Sequence, residues 1–551
     1  MKNIKNKKIT SVSFFLAFLF CFVVINPVFV YCKTKDSPIN SFAIDSTLPQ
    51  KKVVKKNHGL SLQESIKITI ENHSDIEFQY EIIKNDKIKI QQEQGSFDSE
   101  IEAGIFHNHD ESAVLTRDLI TEFMDDERKT DETKFQIALK KKFRSGIEVK
   151  PALQITRTDT TVFELYPGQT IYDTPTNQAK VNLLVTVPLL KGYGEKVNTA
   201  GEMAAKKQVD VSVCKLHHMI SERILNTVLA YWEYLSTNRS LIQTINSEKR
   251  AQRIVKQTKT YIKAGNRPES DLTQTLANLS DKKIQRIAAE QVLFTRKQNL
   301  GNSMGFDFMQ SQNISAPSDS FLQIDKKIVD KIYSSTSQII KKALNNRSDY
   351  LKLTEQERRK KLLVKAAKNN TLPQINLNMG AGYTGLDEGD EVDCAGNAFS
   401  NNIKGLNYTV SLTFNHFIEN STAKSILFQK KSELKQIEIL KQGLRKKISI
   451  EILIAIDRLK NSLKSLSTAE ESVTYYKSTL NNEVKKFKLG TATLFDLIQS
   501  EEKLTNSTLK LIEAKRNYAI AMAQLKYQTG SIVRKNGKSF SVKLFQTEFD
   551  F

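Results

Sequence analysis

The chain repeats itself. Residues 66–76, IKITIENHSDI, match residues 340–350, IKKALNNRSDY, with Asn72 facing Asn346, Ser74 facing Ser348 and Asp75 facing Asp349. At the same offset Ile101, Ala103 and Ile105 face Ile375, Leu377 and Met379. Further along, a second and smaller offset pairs Gly265 with Gly490, Asp271 with Asp496, Leu272 with Leu497, Leu300 with Leu525 and Gly305 with Gly530. Matches in a fixed order mark a tandem duplication, so each half must adopt nearly the same fold. The halves span 58–314 and 333–532, joined by a linker at 315–332. The change of offset places extra residues in the first half, between its first strand and its long helix.

Each half reads helix, strands, long helix, tight turn, helix. Only 10 Pro and 21 Gly occur in 551 residues, which favours long uninterrupted helices. The stretch 197–263 has no Pro and only Gly201; at ~1.5 Å per residue it spans roughly 100 Å as one helix. Leu225, Val228, Trp232 and Leu235 step at helical spacing, as do Ile452, Ile456, Leu459, Leu463 and Leu466. Leu497, Leu504, Leu511, Tyr518 and Leu525 step by sevens, a coiled-coil seam. Shorter helices near 62–93 and 268–303 stack end to end against the long one. Short alternating runs, such as Val181, Leu183, Val185, Val187 and Tyr408, Val410, Leu412, Phe414, read as strands. The fold class is α+β: long antiparallel helices with strands that fit a β-barrel contribution, although the strands of a soluble sandwich would alternate in the same way.

Lys2, Lys5, Lys7 and Lys8 precede an apolar run from Val12 to Val30, a secretory signal over 1–32 followed by a linker at 33–57. No other stretch has the ~18 apolar residues of a membrane-spanning helix. Cys32 closes the signal, but bulky Tyr31 argues against lipidation there. Beyond 532 a basic and then Phe-rich tail, with Phe545, Phe549 and Phe551, reads as loose chain.

The net charge of +21 comes from Lys and Arg spread along the whole chain among acids at helical spacing, the pattern of solvated helix faces and not of a nucleic-acid site. Four cysteines at wide spacing exclude a disulfide or zinc scaffold. His107 and His109, and the adjacent His217 and His218, lack a third ligand at metal spacing. Gly380, Gly382 and Gly385 spell GxGxxG after a strand, but LDEGDEVD follows in place of a helix, so no dinucleotide site is expected. The acidic runs Asp387–Asp393 and Asp125–Glu132 read as solvated loops. No catalytic motif and no cofactor site appear.

The residues resemble the TolC-like outer-membrane efflux family. Leu60–Glu77 resembles its opening helix, VPLLKGYGEKVN (Val187–Asn198) its passage from strand to long helix, and Ala264–Leu272 and Leu489–Leu497 its paired hairpin tips. The second half lacks the strand-to-helix Pro near Asn415. The resemblance implies a homotrimeric duct, the outer-membrane channel of a tripartite efflux or type I secretion system. A barrel sits in outer-membrane lipid, a helical tunnel crosses the periplasm, and a periplasmic adaptor (a membrane fusion protein) joins it to an inner-membrane transporter. It also implies a periplasmic aperture ringed by acidic residues, matched here by Asp496, with Gln499 at the second position and Asp271 in the equivalent tip. Gly265 and Gly490 would lie on the tips that an adaptor grips; their bland reading is a helix C-cap. The rival to the duct is a soluble periplasmic coiled-coil scaffold.

The family's usual protomer has four strands, and this chain keeps that number if 145–157 belongs to an extracellular excursion; a second count gives six. The runs 135–144 and 147–157 are separated by the short turn Arg144-Ser145-Gly146. Outer-membrane barrels keep short turns on the periplasmic side. Counting 100–107, 135–144, 147–157 and 180–188 in the first half, and two strands in the second, gives six per chain and about eighteen in a trimer.

Overall fold

The computed structural model describes residues 59–113, 127–166, 169–172, 174–323, 332, 335–389, 392–400, 403–536 and 539–541. The signal, Cys32, the 33–57 linker and the three tail phenylalanines lie outside them. Two compact units are present. Arg534–Asn536 and Ser539–Ser541 pair as a small antiparallel hairpin in one of them, where the sequence reading expected loose chain. The other unit contains all the elements that follow.

The duplication is visible in the path. In the first half α1 (Leu62–Asn72) and α2 (Ser74–Gln94) lead to β1 (Ser99–Ala113), β2 (Glu127–Lys142), β3 (Glu148–Tyr166), a short β4 (Gln169–Tyr172) and β5 (Thr176–Pro188). Helices α3 (Ala200–Lys263) and α4 (Ser270–Ser303) complete it. In the second half α5 (Thr336–Asn346) and α6 (Ser348–Asn369) lead to β6 (Gln374–Glu388), a short α7 (Val392–Ser400) and β7 (Ile403–Asn415). Helices α8 (Ser421–Lys488) and α9 (Leu494–Gln528) follow. The 64 residues of α3 and 68 of α8 span about 100 Å each.

The helices form one ordered layer. On the sheet side the neighbours run α2, α3, α6, α8; beyond the middle they run α4, α3, α9, α8. Thus α8 is one edge throughout, and α2 with α4 is the other. Most predicted heptad positions are core: Val228, Trp232 and Leu235 on α3 are buried, as are Ile452, Ile456, Leu459 and Leu466 against Tyr518 and Leu525, while Leu225, Leu463, Leu504 and Leu511 are half-buried.

The repeat is also legible in contacts. The break between α1 and α2 falls at His73, and that between α5 and α6 at Arg347; both residues have extended backbone. Each break is covered by the glycine that ends a long hairpin. Gly305 has φ +77° and Gly530 φ +68°. A Cβ on Gly305 would lie 3.0 Å from the Asn72 oxygen and His73 Cα, and one on Gly530 would lie 3.0 Å from the Arg347 nitrogen and Asn346 carbonyl carbon. Asp75 and Asp349, matched in sequence, each bind a guanidinium, from Arg223 and Arg347 respectively, at 2.7 Å. Burial alone would raise the Asp349 carboxyl, but the Arg347 hydrogen bond and charge outweigh it and hold it below the usual range.

Six long strands form one antiparallel sheet in the order β1-β2-β3-β5-β6-β7, with β4 paired to β3. They run past the alternating apolar segments: β1 reaches Ala113 and β2 begins at Glu127, so the described part of the acidic run read as a solvated loop, 127–132, lies in a strand. Polar cross-strand pairs sustain that extension, with His109 Nδ1 2.7 Å from Asp131 Oδ1 and Lys129 Nζ 3.1 Å from Glu111 Oε1. Likewise Gly380, Gly382 and Gly385 lie inside β6, not in a phosphate loop, although α7 does follow at Val392.

The two glycine pairs should respond differently to substitution. Gly305→Ala and Gly530→Ala combine left-handed strain of about 1–2 kcal/mol with overpacking of about 1–3 kcal/mol. Gly265→Ala and Gly490→Ala meet open space and bear the strain only. Thermal unfolding in detergent is expected to show clearly larger drops for the first pair; equal drops across all four would contradict the packing argument.

Candidate functional site

Two features of the large unit can engage other molecules: the helical tips, and the faces and edges of the sheet. Both tips use one local device. The carbonyls left unpaired at a helix C-terminus are closed by a glycine in the left-handed region. Gly265 (φ +73°) donates to the Ile262 carbonyl at 2.9 Å, and Asn266 reaches back to Tyr261 at 2.9 Å. Gly490 (φ +75°) donates to Phe487 at 3.2 Å, and Thr491 reaches back to Lys486 at 3.0 Å. The C-cap reading therefore holds as geometry, and both glycines are exposed.

Asp496 closes a capping box. The Thr493 hydroxyl accepts from the Asp496 N–H at 3.1 Å, while Asp496 Oδ2 accepts from the Thr493 N–H at 3.1 Å and its hydroxyl at 2.6 Å. Those two bonds from Thr493, side chain first, hold the carboxyl below its usual range. Gln499 is exposed one turn on. Asp271 sits in the first turn of α4, 3.9 Å from Arg267 Nη1.

Arg267 joins the two tips, a role the sequence reading missed. Its Nη2 donates to the Ala492 carbonyl at 3.1 Å, and its guanidinium lies 4.8 Å from the Phe487 ring centre. Arg267 and Ala492 occupy equivalent positions in the two repeats, so the bond bridges the internal pseudosymmetry. Beneath it Ile254 of α3 packs with Phe487, Ala492, Leu494 and Leu497 of the other tip. Further in, Arg250 pairs with buried Glu501 and donates to Thr505 Oγ1 at 3.2 Å. The asymmetry of an Arg at 267 against an Ala at 492 was the one available signal.

The sheet has two unlike faces. Reading the register across one level, Ala103 faces Ile137, Ile137 faces Leu153, Leu153 faces Val181, Val181 faces Tyr383 and Tyr383 faces Leu406. The same side of the sheet carries Ile105, Phe135, Val185, Met379, Val410 and Leu412. In the single chain its members are half-buried, as Phe135, Ile137, Leu153 and Val185 are, or exposed: Ile105 by 74 %, Val410 by 68 % and Leu412 by 65 %. The opposite side is polar, with Glu102, Gln136, Lys150, Asn182, Asn378 and Thr409 among its members, and Lys150 Nζ bonds Glu102 Oε2 at 2.6 Å.

Both edges of this layered body are open. Strands β1 and β7 end the sheet, each with one side unpaired among the described residues. The edge helices carry exposed apolar stripes as well: Phe428, Ile439, Ile450 and Tyr475 on α8, and Ile88 of α2 with Ile284 and Phe294 of α4 on the other side. Because α2 leads into β1 and β7 leads into α8, each stripe continues a sheet edge.

No helix among the described residues is long and apolar enough to cross a membrane, and none of their His, Cys, Asp and Glu side chains form a metal-binding group. No family model and no curated protein matches the chain. Solved structures do. The CmeC outer membrane channel of Campylobacter jejuni is 15 % identical, with a TM-score of 0.57 over 85 % of both chains. The outer membrane protein VceC of Vibrio cholerae is 14 % identical, with a TM-score of 0.55 over 85 % of this chain and 96 % of its own. The open state of the Neisseria gonorrhoeae MtrE outer membrane channel is 13 % identical, with a TM-score of 0.53 over 85 % of this chain and 88 % of its own. The chain has the fold of these outer-membrane channels, as the resemblance to the TolC-like family led one to expect.

Removing the Arg267 bridge should loosen the tips. A half-buried cation over an aromatic ring plus a charged hydrogen bond contributes on the order of 1.5 kcal/mol. Arg267→Ala is expected to speed hydrogen exchange of the 487–497 amides roughly tenfold without changing exchange around Trp232. Unchanged exchange at the second tip would show that the apolar cluster alone holds it.

Proposed function

We propose that the chain is the outer-membrane duct of an export machine, a tripartite efflux or type I secretion system. Three copies associate edge to edge, the sheets closing as a barrel in lipid and the helical layers as a tunnel through the periplasm. The observation that carries this reading is the apolar side of the sheet, continuous over six strands and open to solvent. Water would make that face a large aggregation liability; a bilayer makes it favourable, provided the strand edges are paired. On β6 the band from Ile375 to Tyr383 covers about 27 Å along the strand, or about 21 Å of depth at a 40° tilt, close to the apolar height of outer-membrane barrels.

The edges support association of copies. One edge is β7 with α8 and the other is β1 with α2 and α4, so contact is head-to-tail and must close into a ring. Three is the number that the resemblance implies. A soluble scaffold has no use for an alternating sheet with one apolar side.

The duct moves cargo passively, with energy from its partners. The tips lie farthest from the sheet, which suits them to meet a periplasmic adaptor and, through it, an inner-membrane transporter. Exposed Gly265 and Gly490 form that contact surface. Asp496 of three copies would form a ring of negative charge at the mouth, with Asp271 behind it and neutral Gln499 making the second ring weak.

The experiment is conductance. The protein should resist salt washing, come out of membranes with detergent, and form channels in planar bilayers that multivalent cations block. Asp496→Ala should change single-channel conductance and weaken that block. In one chain the Thr493 bonds keep this carboxylate charged to lower pH, while like charges in a ring of three oppose them, so block should fade as pH falls through the carboxylate range. Release by salt would contradict the duct, and unchanged block in the variant would place the constriction elsewhere.

A further inference from the structure

The hairpin of β1 and β2 and the turn that follows it raise the number of strands, and the structure ties that turn firmly to the helices. Resting on the duct reading above, we infer that all six strands span the bilayer and that β1 of one copy pairs with β7 of the next, closing an eighteen-stranded barrel as wide as the helical tunnel it continues.

The first argument is anchorage. Between β2 and β3 the chain turns at the helix end of the sheet. Ser145 accepts from the Gly194 N–H at 3.0 Å, at the start of the passage into α3. Gly146 (φ +96°) packs so closely that a Cβ would lie 2.2 Å from the Gly192 oxygen, which is itself held by Asn198 Nδ2 at 2.6 Å. Arg144 pairs with buried Glu202 of α3 at 3.2 Å and lies over Phe97, the residue that ends the approach from α2. The turn therefore sits between the attachment points of α2 and α3, not at the far end of the sheet. The four remaining attachments, α2 to β1, β5 to α3, α6 to β6 and β7 to α8, are at that same end. The strand directions then alternate, and β7 meets β1 of a neighbour antiparallel.

The second argument is continuity. The apolar side does not stop at β3. Ile101, Ala103 and Ile105 face Leu139, Ile137 and Phe135, and Phe135 and Ile137 face Ile155 and Leu153. A hairpin lying outside the membrane would have no reason to extend the band in register to the edge of the sheet.

The third is width. Four helices packed about 9–10 Å apart occupy about 38 Å of arc per copy. Six strands at ~4.8 Å, tilted ~40°, occupy about 38 Å, whereas four would occupy about 25 Å. At that tilt the six-stranded sheet matches the helical layer without a step, so the barrel is no narrower than the tunnel and places no bottleneck on bulky cargo.

Single cysteines at Ile105, Phe135 and Leu412 of the full chain, its native cysteines (Cys214 and Cys394 among them) replaced by Ser, labelled with an environment-sensitive fluorophore in vesicles, provide the test. All three should be quenched several-fold more by brominated lipid than by iodide. A second set, with one cysteine at Glu102 and another scanned over Asn407, Thr409 and Ser411, should give disulfides between copies. If Leu412 reports lipid while Ile105 and Phe135 report water, the hairpin lies off the barrel and the inference falls, leaving the duct intact. If Leu412 reports water too, the duct reading itself fails. Absence of every β1–β7 disulfide with all three labels in lipid would overturn the edge pairing.

Discussion

A β-strand in lipid cannot leave its edge unpaired, since each exposed backbone group costs several kcal/mol there. That constraint organises the whole account. The sheet is open at β1 and β7, one side of it is apolar to both edges, and the helices that continue those edges carry exposed apolar stripes. Among the described residues of a single copy nothing covers these surfaces. The proposed ring of copies would cover the edges and stripes with one another and give the apolar side to the bilayer.

The duplication supplies the regularity that such a ring needs. Each half brings a long helix, a tip closed by an exposed left-handed glycine, and a second left-handed glycine packed on the break between two stacked helices. The halves meet through contacts that span the pseudosymmetry, Arg267 with Ala492 at the tips and Arg250 with Glu501 behind them. Departures from symmetry are confined to places where one half has something to add. The clearest is the insertion in the first half, which becomes two further strands and a turn fixed by Arg144 and Glu202.

Much of this was legible in the sequence because its signals are periodic. Heptad spacing marked Trp232, Ile452 and Leu525 as core, alternation marked the strands, and Arg144-Ser145-Gly146 marked a tight turn that the structure places at the helix end. The boundaries were less legible. Strands extend to Ala113 and Glu127 through charged cross-strand pairs, which have no hydrophobic period to detect. The hairpin at 534–541 is short and polar, and its one signal, the Asn536-Gly537 dipeptide, has no alternating apolar run flanking it. The tips were found from their glycines, but Arg267 was not, because its partner is a backbone carbonyl more than two hundred residues away, where no side-chain pattern exists. Asp496 was legible as a first-turn acid; that its carboxylate also completes the Thr493 capping box follows from local geometry alone.

The most direct measurement is of edge-to-edge closure. Ile88 on α2 and Phe428 or Ile439 on α8 lie on opposite edges of one chain, with α3 and α6 between them. A full chain with cysteines at Ile88 and one of the α8 positions, treated in membranes with a flexible bis-maleimide, should yield a covalent ladder that stops at three copies. A ladder continuing beyond three would mean an open, non-closing assembly, and crosslinks confined to single chains would contradict the account at its root.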